Sequence, residues 1–214
     1  MQLLKKFIVE YGITNIEKYD EFCTFNDIIL EWNKKVNVIS RKNTSTENII
    51  LNSVFFLVKY VFIKNTKVLD VGTGGGFPGI PLKIIFPDID ITLCDSIRKK
   101  INVVDDTVKR MNFINAKAVC SRAEELEESD KYYKKFDYIV SKSVAPLESL
   151  FKWGKNLVKD DGVFLCIKGG NMSEEINDLL KKNKNIFVEV INYSFPDVYS
   201  IEDKKLVIIK NKKV

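Results

Sequence analysis

The sequence predicts an α/β fold: a seven-stranded, mostly parallel sheet with helices on both faces, ending in an antiparallel hairpin and preceded by a helical extension. Three observations lead there. From about residue 65, short apolar runs alternate with amphipathic helical stretches, the βαβ pattern that builds parallel sheets. The last two strands have only a Pro196-containing loop between them, which suits antiparallel pairing. Residues before that point carry helical periodicity alone, so the chain divides into a helical extension at 1–64 and an α/β domain at 65–214.

In chain order, Leu3, Leu4, Phe7, Ile8 and Tyr11 fall on one face of a first helix. Phe22, Phe25, Ile29, Trp32 and Val36 recur at three- and four-residue steps and mark a longer one. A polar patch, Ser40 to Ser45, separates it from a third helix expected at about 46–61. The apolar run Val54 to Ile63, broken by Lys59, falls short of the roughly 20 residues of a membrane span and reads as a buried helix. Strands are expected at 67–71, 90–95, 115–119, 136–141, 162–168, 186–193 and 206–210. Helices are expected at about 78–86, 96–112 and 146–158.

The 214 residues are 45% hydrophobic and 29% charged, enough apolar material for a sizeable core and too little charge imbalance for disorder. There is no histidine, which removes Ser-His and Cys-His nucleophiles, histidine bases and imidazole metal sites. Cys23, Cys94, Cys120 and Cys166 are scattered beside apolar residues and read as buried free thiols of a reducing compartment, with no metal site. No signal-peptide pattern opens the chain, and a soluble, cytoplasmic monomer is expected. A net charge of +5 is compatible with a polyanionic partner and with simple lysine richness.

The most informative segment is Val68 to Gly79, where glycines cluster between a strand end and a helix start. Such a loop lets a ligand approach the backbone closely. Gly74-x-Gly76-x-x-Gly79, with Asp95 nineteen residues beyond Gly76, satisfies a dinucleotide fingerprint. Asp70 followed by Gly72-x-Gly74-x-Gly76 matches instead the first motif of S-adenosylmethionine enzymes. Three features favour the second. Asp70 suits a ligand with a cationic amino-acid end and would repel a pyrophosphate. Phe77 and Pro78 are bulky where a dinucleotide loop wants slim residues, and the terminal hairpin is a class I methyltransferase trait rather than that of a plain dinucleotide-binding (Rossmann) fold. Asp95 is placed to accept from ribose hydroxyls or to cap the next helix, and Ser121 to Glu125 follow the third strand where an adenine pocket would lie.

The segment VLDVGTGGGFPGIPL, Val68 to Leu82, resembles that of the small-subunit ribosomal RNA guanine-N7 methyltransferase G family, also called glucose-inhibited division protein B. The resemblance extends to Glu31 through Asn37, to Asp95-Ser96, Ser121 to Glu124, Phe136-Asp137 and Leu206 to Lys210. It implies a class I, Rossmann-like methyltransferase that moves the methyl of S-adenosylmethionine to N7 of one guanine in 16S ribosomal RNA, leaving S-adenosylhomocysteine. The cofactor residues it implies are Asp70, Gly72, Gly74, Gly76, Phe77, Asp95, Ser96, Ala123 and Glu124. The partner is small-subunit ribosomal RNA, naked or assembled with ribosomal proteins. Two departures stand out. The family's usual Ser-Arg-Ala after the fourth strand is Ser141-Lys142-Ser143 here, and its frequent His-x-x-Asp-Ser is Ile49-Ile50-Leu51-Asn52-Ser53.

Guanine N7 carries no proton, so its methylation needs no general base and tolerates the absence of histidine. No Asp/Asn-Pro-Pro-aromatic motif for amine methylation and no Pro-Cys motif for carbon methylation is present. Ribose 2′-O methylation is the rival, because Lys168 in CIKGG resembles a lysine of such enzymes, although Lys142 stands where their aspartate would be. A non-catalytic protein binding S-adenosylmethionine or RNA is the other alternative. Lys142 is expected to contact the guanine or its phosphate as the catalytic-site cation, with Lys168 nearby. Asn37 and Arg41 are further RNA-binding candidates, as are Lys34, Lys35, Lys42, Lys204 and Lys205.

Overall fold

The computed structural model describes residues 1–39, 45–63, 65–128 and 130–212. Helices α1 (Gln2–Tyr11), α2 (Tyr19–Asn33) and α3 (Thr46–Val54) come first. Helix α1 buries Leu4, Phe7 and Ile8 and stops at Gly12, whose left-handed φ of 60° lets its N–H reach Ile8 O at 2.9 Å. Helix α3 starts at Ser45, whose hydroxyl accepts from Asn48 N at 3.1 Å.

The helix expected to reach residue 61 ends seven residues earlier and continues as a 3₁₀ turn, Phe55–Val58. The Phe56 carbonyl accepts from Tyr60 N at 3.0 Å and also from the buried Tyr193 hydroxyl at 2.8 Å, which anchors this turn to a distant part of the chain. Beyond it the chain surfaces: Val61 is 86% and Ile63 61% exposed, which corrects the buried-helix expectation.

The α/β part follows as β1 (Lys67–Val71), α4 (Gly79–Ile85), β2 (Asp90–Asp95), α5 (Arg98–Arg110), β3 (Ala116–Cys120), α6 (Ala123–Leu126) and β4 (Phe136–Lys142). Then come α7 (Leu147–Gly154), β5 (Val158–Gly169), α8 (Ser173–Lys182), β6 (Ile186–Asn192) and β7 (Lys204–Asn211). The sheet order is β3-β2-β1-β4-β5-β7-β6. All pairs are parallel except β5 with β7 and β7 with β6. The last strand therefore inserts between β5 and β6 rather than extending the edge.

Strand β5 begins four residues earlier than expected, and the helix before it stops at Gly154. A β-carbon at Gly154 would lie 2.6 Å from Ile139 Cδ1, so the helix end is pressed onto β4. Helix α8 was not anticipated. Met172, Ile176 and Leu179 recur at four- and three-residue steps and form its packed face, with Glu174 and Glu175 in the first turn and Lys181 and Lys182 in the last. Cys94 and Cys166 are buried free thiols as expected, whereas Cys23 and Cys120 are only half-buried, which corrects the expectation that all four are buried.

Phe7, Phe22, Phe25, Ile29 and Ile50 of the N-terminal helices share one core with Val68, Ile80, Tyr138, Leu165 and Ile208 of the α/β part. The opposite sheet face packs against Leu126, Leu147, Leu150 and Leu179. Among the described residues, no helix is long and apolar enough to cross a membrane.

Candidate functional site

Strand β1 ends by delivering Asp70 beneath the glycine loop. This carboxylate is fully buried; its Oδ2 accepts from Thr73 Oγ1 at 2.7 Å and from Gly79 N at 2.9 Å. One side chain thus ties the start of the loop to the start of α4. Its Oδ1 has no donor within reach among the described residues. Burial pushes the Asp70 pKa up to about 7, against the opposing pull of the Thr73 and Gly79 bonds and of the Lys142 charge. Thr73 O accepts from Gly76 N at 2.9 Å and Phe77 N at 2.8 Å, closing the turn. Gly72 and Gly74 have φ of 69° and 58°, left-handed values that a β-carbon would strain.

Over this loop lies a cavity of about 520 Å³, a volume suited to a small ligand. It runs along the C-terminal ends of β4, β1, β2 and β3, across the point where the strand order reverses, where open α/β sheets bind ligands. Thr73, Gly74 and Gly75 form its floor. Asp95 stands at its middle, with Oδ2 accepting from Gly74 N at 3.0 Å and Oδ1 from Ile97 N at 2.9 Å. It is brace and cap together, yet an ionised carboxylate offers about four lone-pair sites, so about two remain for ribose hydroxyls. At the far end Ala123 and Glu124 open α6, where leading amides have no intrahelical acceptor.

The extension closes the other side. Val38, Ile39 and Ile49 line the cavity, and Asn33 Oδ1 holds the first two by accepting from Val38 N at 3.0 Å and Ile39 N at 3.1 Å. Lys100 and Trp153 also line it and, like Val38 and Ile39, are not among the residues that the sequence marks as candidates. Apolar wall residues carry no chemical label; Asn33, inside the Glu31–Asn37 motif, was the one available signal.

Of the expected cofactor residues, Gly72, Gly74, Phe77, Asp95, Ser96, Ala123 and Glu124 line the cavity. Asp70 and Gly76 do not, which corrects their expected direct contact. Asp70 lies below the loop, and a β-carbon at Gly76 would lie 2.6 Å from Ile80 Cγ1, so that glycine serves packing. The residues present fit S-adenosylmethionine: a diol acceptor at Asp95, backbone amides at Ala123 and Glu124, and the partnerless, buried Asp70 oxygen under the loop.

Lys142, at the end of β4, sits at the mouth of this cavity with Nζ 5.8 Å from the Phe77 ring centre. Burial lowers its pKa; Asp70 opposes that shift and Lys204 adds to it. Lys142 also lines a second cavity of about 520 Å³, with Ile49, Asn52, Ser143, Glu202 and Lys204. The two departures from the family pattern, Lys142 and Asn52, therefore face one space. Lys168 stands at the end of neighbouring β5, one residue past Ile167, the register partner of Lys142, but its side chain lines neither cavity: it is 8% exposed, donates to Ala145 O at 2.6 Å and pairs with Glu175 at 2.9 Å. Asn37 is exposed and lines neither cavity, although it directly precedes Val38. Lys35 pairs with Glu31 at 3.5 Å, Lys205 binds Gly170 O at 2.6 Å and pairs with Asp203, and Lys34 is exposed. Arg41 and Lys42 lie outside the described residues.

Comparison with known proteins agrees with this layout. A ribosomal RNA small subunit methyltransferase G from Clostridium novyi is 40% identical over 166 residues, 76% of this chain and 68% of that protein. The protein of the same name from Chlorobium phaeobacteroides is 37% identical over 188 residues, 86% of this chain and 82% of that one. An O-methyltransferase from Bacillus cereus, solved in complex with S-adenosylhomocysteine, superposes with a TM-score of 0.57 at 14% identity, covering 88% of this chain and 91% of that one. That likeness concerns the fold. The profile of the rRNA small subunit methyltransferase G family matches residues 18–206, and the chain belongs to that family.

Proposed function

We propose that this chain transfers the methyl group of S-adenosylmethionine to N7 of one guanine in small-subunit ribosomal RNA. The observation that carries the reading is the continuous cavity along four strand ends, lined by seven of the motif positions that the family resemblance marks for the cofactor. When bound, S-adenosylmethionine supplies an electrophilic methyl on a sulfonium. Asp95 holds the ribose, the Ala123 and Glu124 segment faces the adenine, and the Thr73–Gly75 floor sets the depth. Asp70, through Thr73 and Gly79, keeps that floor in one shape.

Because N7 is a bare acceptor, the chain has no proton to remove there. Its task is alignment, which can account for a large part of such a rate enhancement. Lys142 meets the target at the cavity mouth as a donor. The ribose 2′-O alternative loses support because the Lys168 ammonium is engaged by Ala145 and Glu175. The RNA would arrive as a small-subunit particle or naked strand, and the chain's net charge of +5 favours its phosphates.

The test is incubation of the purified protein with methyl-radiolabelled S-adenosylmethionine and small ribosomal subunits from cells lacking the modification. Label in the RNA, near one methyl per particle, is the expected result. No label, with calorimetry confirming cofactor binding, would favour a non-catalytic protein instead.

A further inference from the structure

The second cavity has a composition that the cofactor does not explain. It adjoins the first through Ile49, Lys142 and Ser143, which line both. Its far wall holds Asn52, Ser200, Glu202 and Lys204. Glu202 is exposed to this space and has no ion-pair partner among the described residues, although lysines 142 and 204 share the lining. Asn52 Nδ2 donates to Asn48 O at 2.8 Å and reaches Ser200 O at 3.5 Å, while its Oδ1 is buried without a donor. Ser143 and Ser200 have φ of 53° and 51°. Serine adopts that left-handed region at a cost, and such residues cluster at functional sites. Polar groups without partners and backbone held in a costly form thus meet at one place, beside the cofactor cavity.

Guanine fits this arrangement in one orientation. Its N7 and O6 lie on one edge, both acceptors, and its N1–H and 2-amino group lie on the opposite side, all donors. With N7 turned to the first cavity, O6 falls beside Lys142, the cation among the three residues common to both. The N1–H and 2-amino side then points at the far wall, which must supply an acceptor. Resting on the guanine-N7 reading above, we propose that this second cavity receives the target base and that Glu202 reads its N1–H and 2-amino group. The carboxylate would thus be a specificity-determining residue. Adenine, which has no N1–H and no 2-amino group, would leave it without donors once the base has displaced water from the cavity, the kind of mismatch that discriminates strongly.

The test compares wild type and Glu202→Ala on small-subunit RNA carrying either guanosine or inosine at the mapped target position. Inosine lacks only the 2-amino group. The wild type should prefer guanosine in kcat/KM by about 10- to 100-fold, and Glu202→Ala should shrink that preference to near unity by losing rate on guanosine alone. Cofactor affinity by calorimetry and the melting temperature should be unchanged, since Glu202 is exposed and outside the cofactor cavity. An unchanged guanosine preference in the variant would overturn the assignment, and so would a wild type indifferent to inosine. Absence of transfer to guanosine RNA by the wild type would instead overturn the guanine reading on which the assignment rests.

Discussion

Asp70 is held between opposed demands. Two donors favour its ionised form, while complete burial favours the neutral one and raises its pKa from 3.8 to about 7. The sign of the consequence follows from linkage. The folded state binds a proton more tightly than the unfolded chain, so between about pH 4 and 7 rising pH costs stability. The full cost, of order 4 kcal/mol, is reached above pH 7. Melting temperatures across pH 4–8 should therefore fall more steeply for wild type than for Asp70→Asn, which lacks this titration; equal slopes would remove the buried-charge account. Sequence adjacency to the glycines drew attention to Asp70 but not to its direction, because β1 is buried on both faces and gives no alternation to read. Lys142 was legible as a strand-end cation facing the crevice. Its replacement by Ala should lower methyl transfer at saturating RNA by about 100-fold while leaving cofactor affinity within a few-fold. An unchanged rate would show that it is merely a solvated charge at the mouth.

Among the elements, α4 and the turn after it set the loop from behind. Lys83, 1% exposed, donates through Nζ to Pro87 O and Ile89 O, both at 2.7 Å, and so fastens the helix end to the start of β2. Lys83→Met keeps the aliphatic bulk and strands both carbonyls, so unfolding in urea should show a loss of about 1–3 kcal/mol. No loss would mean that water replaces the ammonium there. Nothing in the sequence marked this lysine, since a charged residue in a helical stretch reads as solvent-facing. The elements themselves were readable where apolar spacing is regular, as in β1, β2 and α5. They were misjudged where tertiary contacts decide. Helix α3 ends at Val54, just before Phe56 meets Tyr193, whereas α8 carries helical spacing in Met172, Ile176 and Leu179 that is legible in the sequence although the expectation omits it.

At the level of the whole molecule, the extension and the α/β part share a core, and Val38, Ile39 and Ile49 complete the cofactor cavity. The division at residue 64 is accordingly a change of sequence pattern, which we propose to treat as a helical cap on one folding unit. Removal of residues 1–63 would expose Val68, Ile80, Tyr138 and Leu165 to water. An apolar patch of that kind promotes association, so the truncated protein should aggregate on expression and bind no S-adenosylmethionine. A soluble, monomeric, cofactor-binding truncation would establish two independent units. Helical periodicity in the first third of the chain was plain in the sequence, whereas its contribution to the cavity wall was not, because periodicity identifies a buried face without naming what covers it.

The central claim is methyl transfer to guanine N7, and N7-methylguanosine can be cleaved chemically where other methylated nucleosides resist. Small-subunit RNA modified by this protein should be treated with borohydride and then aniline, and the breaks mapped. The account predicts one new cleavage at one guanosine, dependent on both protein and S-adenosylmethionine. Methyl label in the RNA with no cleavage would place the methyl on another atom and contradict it.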